Sequence, residues 1–328
     1  MIPFHRHILG ASNFLEEAID PAFVMRIDTT KPGSASDTMI IPTNGAGYDC
    51  QVEWGDGTTT THEGTAPSIQ HTYAAAGEYD VRITGEFPRV LFNNSGDRLK
   101  VLRVHLGDGS QSAVVWGTNL TSAWQGCGNN TEVTGVIPSS VTNLASAWFG
   151  NNLSEWTVDI PDGVTTLLAA WFSNNLSEWT VALPSSVTTL QSAWMNNNLS
   201  EWTVAIPSSV TTLRSAWFNN NLSEWTVAIP SSVTTLQWAW RNNGNMSIDP
   251  TFLNAATDAN NYIECFLATT IPTEQYSQLL ANLEETNTQN DVPFHGGNSK
   301  YNAAGETARN ILTTAPRNWT ITDGGLET

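Results

Sequence analysis

IPSSVTNLASAWFGNNLSEWTVD, residues 137–159, returns along the chain with few letters changed: Pro138, Pro161, Pro184, Pro207 and Pro230 fall 23 residues apart without a slip. A fixed period of this length means a solenoid, in which each unit is too small to fold alone and buries its apolar face against the next.

One repeat sets the expected register. In Leu199–Pro207, Trp202, Val204 and Ile206 alternate with Glu201, Thr203 and Ala205, the period of a half-buried strand that Pro207 ends. Val210, Leu213, Ala216 and Trp217 then follow a helical spacing, which predicts a short helix with one face inward. Asn219–Asn221 turn the chain back. Each repeat is therefore expected to be strand, Pro-Ser-Ser turn, short helix and Asn-rich turn, stacked into a parallel sheet on one side of a slab.

Two Trp ranks run up such a stack, Trp148, Trp171, Trp194, Trp217 and Trp240 on the predicted helical side and Trp156, Trp179, Trp202 and Trp225 on the strand side. The register puts both inside, where each ring removes roughly 200 Å² from water, ~5 kcal/mol at ~25 cal/mol per Å² before entropy. An exposed rank would instead be a flat aromatic track suited to sugar rings. Outward on the predicted sheet stand Glu155, Glu178, Glu201 and Glu224, flanked by Thr157, Thr180, Thr203 and Thr226. At a strand spacing of about 4.8 Å like charges repel by only ~1 kcal/mol per pair in water. This face is either a solvated one that keeps the sheet soluble or an acceptor-rich binding surface for a repetitive partner such as a glycan. Divalent cations could bridge it, as carboxylates and hydroxyls suit them. Paired asparagines such as Asn197–Asn198 and Asn220–Asn221 are expected to satisfy turn amides that no strand reaches.

The pattern L-x-x-W-x-V-x-I-P-S-S-V-T-T-L-x-x-A-W-x-x-N-N resembles the 23-residue leucine-rich repeat of BspA-like bacterial surface proteins, with Trp where those usually carry a smaller apolar residue or Phe. The resemblance covers about residues 99–265 and implies adhesion, with no catalytic residues to carry over.

N-terminal to the repeats, Phe23–Ile27, Met39–Ile41, Tyr48–Trp54 and Tyr79–Thr84 are separated by turns rich in Gly, Asp and Thr, which predicts an antiparallel sandwich. Val52-Glu-Trp54-Gly-Asp-Gly57-Thr, followed by His71-Thr-Tyr73 and Gly77-Glu-Tyr79-Asp-Val81, resembles the PKD (polycystic kidney disease) domain. That resemblance implies a spacer in a multidomain exported or surface-exposed protein. Gly55 and Gly57 permit the tight turn, Asp56 can bond backbone amides beside it, and Trp54 and Tyr73 fill the sandwich. Asp56 is also the one candidate Ca²⁺ ligand outside the repeats.

Phe87–Phe92 and Leu99–Leu106 are expected as strands, the second capping the first repeat, because an uncovered solenoid end aggregates. Trp124, 24 residues before Trp148, belongs to a degenerate first repeat. After Trp240 the repeat decays through a last strand at Met246–Pro250 and a closing one at Tyr262–Leu267. Pro272–Glu285 is predicted as an amphipathic helix with Tyr276, Leu279, Leu280 and Leu283 inward, Val292–Gly297 as a strand and turn, Ala303–Thr313 as a second helix and Trp319–Ile321 as a final strand. Phe294–Tyr301 with Trp319–Gly325 resembles a terminal module that follows such repeats in bacterial surface and phage-encoded proteins. His295, Ser299 and Lys300 lack a nucleophile elbow, paired acid or oxyanion loop, so a capping role is expected for this module. The Glu rank is no glycosidase pair either, since such acids need unlike environments.

The fold expected for the 328 residues is thus mainly β with short helices. An N-terminal tether or anchor over 1–22 precedes a PKD-like β-sandwich over 23–98, a leucine-rich-repeat solenoid with a parallel sheet over 99–267 and a small α+β capping module over 268–328. A net charge of −18 with 13 Lys and Arg, none between Arg103 and Arg214, argues against nucleic acid and anionic membrane surfaces as partners. Cys50, Cys127 and Cys265 are dispersed and odd in number, which predicts buried free thiols. No 18-residue apolar run would span a membrane, and the first residues do not resemble a secretory signal. His5, Arg6 and His7 fit a tether better than a metal site.

These features point to a non-enzymatic adhesion or receptor-binding protein. The expected setting is a bacteriophage virion, as a tail-fibre, tip or head-fibre protein. The N-terminal segment would hold another virion protein, and the solenoid would meet a host-cell glycan or surface protein. A bacterial cell-surface adhesin is the alternative. No cofactor is expected beyond the Ca²⁺ considered above, and a homo-oligomer stays open because no coiled-coil heptads are present.

Overall fold

The computed structural model describes residues 20–328; the expected tether, apart from its last residues, and the His5-Arg6-His7 motif lie outside the described residues. The N-terminal unit is the predicted antiparallel sandwich. Its strands are β1 (Phe23–Asp28), β2 (Thr38–Ile41), β3 (Tyr48–Glu53), β4 (Thr59–Gly64), β5 (Ile69–Thr72), β6 (Glu78–Glu86) and β7 (Val101–His105). β3 alternates buried Tyr48, Cys50 and Val52 with exposed Asp49 and Gln51, the period that lets one sheet face core and the other face water. β2 and β5 pair antiparallel as the opposing sheet, and Met39, Ile41, Trp54, Ile69, Tyr73, Val81 and Ile83 are buried in the core.

Two further strands, β8 (Val114–Val115) and β9 (Glu132–Thr134), change the expected boundary geometry. The large sheet runs β4-β3-β6-β1-β7-β9 with β8 beside β6. β7 pairs antiparallel with β1 on one side and parallel with β9 on the other. It therefore covers the first repeat, as expected, and is at the same time a strand of the sandwich sheet. Phe87–Phe92, expected as a strand, is irregular chain that begins the stack: Phe92 N–H donates to Ala123 O and Asn94 N–H to Gln125 O.

Within the repeats the parallel ladder lies where a short helix was expected. β10 (Thr166–Leu168), β11 (Thr189–Gln191) and β12 (Thr212–Arg214) pair in register, Leu167 beside Leu190 beside Leu213, all three buried. Single paired residues carry the ladder on through Thr235, Asn261 and Tyr262 to Phe294. The helix fails because Ser192 and Ser215 stand at φ +53° and +52°, and Asn196 and Asn219 at +58° and +55°, a hand that an α-helix does not admit. Between these positions backbone bonds run to the next coil instead of four residues back: Ser192 N–H to Arg214 O, Trp194 N–H to Ala216 O, Asn196 N–H to Phe218 O.

The stretch expected as the strand keeps its in–out alternation but forms a ladder only towards the ends of the stack, where β9 meets β7 and where β13 (Glu224–Trp225) meets a later strand. The tail of the stack contains β14 (Gly244–Asn245), β15 (Ser247–Ile248) and β16 (Thr269–Thr270); β13 pairs β15 and β14 pairs β16, all parallel. Tyr262–Leu267 is a bridge residue and a turn, not a closing strand.

The C-terminal module matches its expected elements: α1 (Thr273–Thr286), β17 (Pro293–His295), α2 (Ala303–Thr313) and β18 (Thr320–Thr322). Tyr276, Leu279, Leu280 and Leu283 are buried along α1. Asn302 caps α2 by accepting from the N–H groups of Ala304 and Gly305. β17 and β18 pair parallel at the end of the ladder, so this module lengthens the stack while covering its last coil. Among the described residues no helix is long and apolar enough to cross a membrane.

Candidate binding faces of the solenoid

Both Trp ranks are interior, which removes the aromatic-track alternative. Neighbouring rings from Trp124 to Trp240 lie 5.5–6.1 Å apart and within 9° of parallel. The second rank stacks at 6.3–6.4 Å where Trp156, Trp179 and Trp202 follow one another. Within a repeat the two rings meet steeply at 4.5–4.7 Å, the edge-to-face arrangement aromatic quadrupoles favour. Second-rank indole N–H groups donate to the carbonyl two residues on, Trp179 to Val181 and Trp202 to Val204, both at 2.7 Å. First-rank N–H groups are buried without a hydrogen-bond acceptor.

A third interior rank, of asparagines, confirms the structural role expected for one member of each pair. Asn174, Asn197, Asn220 and Asn243 are buried and donate to Trp148, Trp171, Trp194 and Trp217 carbonyls at 2.8–2.9 Å. Their Oδ1 atoms accept from Leu153, Leu176, Leu199 and Leu222 N–H of the preceding coil.

Glu155, Glu178, Glu201 and Glu224 and Thr157, Thr180, Thr203 and Thr226 are all exposed, on one edge of the stack. The regular sheet expected beneath them is absent apart from β13, because the W-T-V segment curls to bring its carbonyl to the Trp N–H. No group of three or more His, Cys, Asp or Glu placed to hold a metal ion occurs among the described residues.

Sequence reasoning missed a second face. Along the ladder the outward positions, half-buried or exposed except for buried Ser215, carry Ala145, Leu168, Gln191, Arg214 and Gln237, then Ser146, Ala169, Ser192, Ser215 and Trp238, then Phe149, Phe172, Met195, Phe218 and Arg241. These positions, with the following Gly150, Ser173, Asn196, Asn219 and Asn242, hold most of the differences between repeats. The Glu and Thr positions repeat unchanged through four coils and give way to Ser247 and Asp249 in the fifth. Phe149 stacks on Phe172 at 4.5 Å, Leu168 is exposed, and the guanidinium of Arg241 lies 5.4 Å over the Phe218 ring and pairs with Glu264. Aligning the repeats column by column would have shown this face.

In the sandwich, Asp56 is already engaged. Its carboxylate accepts from Thr58 N–H at 2.9 Å and Thr58 Oγ1 at 2.6 Å and lies 2.8 Å from His71 Nε2. Partial burial pushes its pKa up, but the hydrogen bonds from Thr58 and His71 and the His71 charge outweigh this and hold it at about 2. Gly55 stands at φ +83°, and a Cβ there would lie 2.7 Å from Asp80 O, so the turn requires glycine. Burial pushes the Cys50 thiol up to about 11 and those of Cys127 and Cys265 well above their ordinary value; all three cysteines are free and buried. In the terminal module, buried Ser299 accepts from Ile271 N–H and His295 Nδ1 from Gly297 N–H, while Lys300 is exposed. They form no catalytic cluster.

A sandwich fused to a ladder-backed solenoid is a scaffold that displays surfaces. Residues 35–95 match the PKD domain and residues 121–246 match the BspA type Leucine rich repeat region in six copies. The chain carries a PKD domain followed by BspA-type leucine-rich repeats, domain types that are typically non-catalytic and that indicate a surface adhesion or protein-interaction role. Neither match extends into residues 268–328. No curated protein and no solved structure matches the chain.

Proposed function

We propose that the chain is a receptor-binding protein of a bacteriophage virion that presents its solenoid to a glycan or protein on a host cell. One observation carries the binding reading: a repeat whose interior letters scarcely change confines most of its variation to one exposed face. Solenoids form extended surfaces of this kind, and the equally exposed Glu and Thr edge shows that exposure alone does not bring variation over the same four coils. The virion setting rests on the resemblance of the terminal module to phage-encoded ones, with residues 1–22 as the segment that holds another virion protein. A bacterial cell-surface adhesin is the alternative setting.

Labelled full-length chain should bind host cells saturably, and an absence of saturable binding on cells from its own culture would end the adhesion reading. Immunogold on that culture separates the settings: gold on particle tips supports the virion and gold on the cell envelope the adhesin. The in-register exposure of four Glu and four Thr keeps the other edge as a second candidate face. Glu178→Lys with Glu201→Lys weakens attachment without moving Tm if that edge binds.

A further inference from the structure

Between Arg103 and Lys300 the chain carries only two basic residues, Arg214 and Arg241, against a formal net charge of −18. They sit in adjoining repeats on the varied face, beside one depression of about 280 Å³ lined by Ser192, Met195, Ser215, Phe218, Trp238 and Arg241. The depression exists because one repeat breaks the pattern: Trp238 replaces the Ser or Ala of the other coils and stands up as a wall, at φ +60°. The positive φ belongs to this position in every coil, as at Ser192 and Ser215; what sets this coil apart is the bulky ring placed there. The guanidinium of Arg214 lies 5.3 Å over the Trp238 ring, and Arg214 is exposed with no carboxylate partner among the described residues. Arg241 keeps donors beyond the one it gives Glu264, since a guanidinium has five N–H groups.

We infer that this depression binds a hexuronic-acid residue of an acidic polysaccharide. The ring's C–H face lies against Trp238 and Phe218, and the carboxylate meets the guanidiniums, which suit planar carboxylates and are oriented in advance by the aromatic rings beneath them. Next in sequence to Phe218 and Arg241, the Asn242 amide donates to Asn219 and the Asn219 amide to Asn196, and each keeps a further N–H for a hydroxyl. The volume is near the lower end for ligand sites, roughly 300 Å³, and so takes a single sugar of a longer chain. An extended acidic peptide fits worse. Strand addition needs a free sheet edge, whereas the backbone groups under this face are bonded between coils, as Ser215 N–H is to Gln237 O and Trp217 N–H to Ala239 O.

This inference rests on the adhesion reading and names the ligand class for the varied face. Its test is isothermal titration of the full-length chain with tetragalacturonate, the methyl ester of the same tetrasaccharide, and tetraglutamate. Arg214→Gln, Trp238→Ser and Arg241→Phe each install a residue that another repeat already holds at that position, Gln191, Ser192 and Phe218. The free acid should bind, with affinity falling about tenfold or more for the ester and for Arg214→Gln, and with each added increment of salt. Trp238→Ser should remove binding of acid and ester alike. Equal binding of acid and ester, unchanged affinity in Arg214→Gln, tighter binding of tetraglutamate or no binding of any uronate overturns the site. Saturable cell attachment that survives these variants but fails in the Glu178→Lys, Glu201→Lys chain would leave the adhesion reading standing and this inference fallen.

Discussion

Lys100 and Asp97 in the sandwich are 0% and 1% exposed, and every polar atom of the pair is matched by a particular neighbour: the ammonium donates to Ser34 Oγ, Ala35 O and Thr38 O, while the carboxylate accepts from Ser34 and from Ile40 N–H. In the solenoid the buried polar groups are asparagine amides and indole N–H groups that recur level by level: the asparagines bond to neighbouring coils, the second-rank N–H groups donate within their own coil, and the first-rank N–H groups have no hydrogen-bond acceptor. The sandwich therefore depends on contacts that occur once, between residues as far apart as Ser34 and Lys100. The solenoid depends on nearest neighbours, and its rank members share their role. One region is specified by singular residues, the other by repetition.

The largest effect should come from breaking a singular contact. Asp97→Ala leaves the enclosed Lys100 ammonium without its counter-charge and should cost the sandwich about 5 kcal/mol, the upper end for breaking a buried pair. Guanidinium unfolding monitored at the sandwich measures it, and a loss under about 1 kcal/mol, the scale of an exposed ion pair, would erase the contrast. Trp194→Ala opens a hole between Trp171 and Trp217 and should cost about 3–5 kcal/mol in solenoid stability. If the stack is a chain of neighbour contacts, Trp171→Ala should cost the same within error.

Trp202→Phe keeps most of the apolar volume but takes away the donor to Val204 O, for a loss of about 1 kcal/mol. A change as large as that of Trp194→Ala would mean that the second rank does more than pack. The smallest effect is one of pH. The Asp56 carboxyl is depressed from 3.8 to about 2 on folding, so its stabilisation is complete above the higher value and is lost as pH falls through the lower one. Asp56→Asn should flatten stability against pH in that window and leave the solenoid's acid response untouched. An unchanged acid profile would show that the Asp56–His71 contact contributes nothing.

Repetition also explains what could be foreseen. The period of 23 exposes the solenoid, and the W-G-D-G-T turn exposes the sandwich, because each is local in sequence. The helices α1 and α2 were legible to within a residue or so at each end because their apolar spacing and the absence of internal Gly-Asn turns leave no competing reading. The ladder was not. Val210, Leu213, Ala216 and Trp217 satisfy a helical spacing equally well as a short strand and a turn joined through a left-handed Ser215, and serine carries no sign of the hand it will adopt. The site suffered a related loss. The Glu and Thr ranks draw attention because they repeat, whereas the varied face is visible only as departures from the repeat.

By itself, then, the sequence determined the order of domain types, the inward place of both Trp ranks and the asparagine ladder, since each follows from side-chain polarity recurring at a fixed interval. The tertiary structure decided which third of the coil pairs into a sheet, that β7 joins β9 across the expected boundary, and that Trp238, Phe218 and Arg241 line one depression with Arg214 set over the Trp238 ring. Those outcomes turn on where backbone N–H groups find acceptors in a neighbouring coil, and no single repeat contains its neighbour.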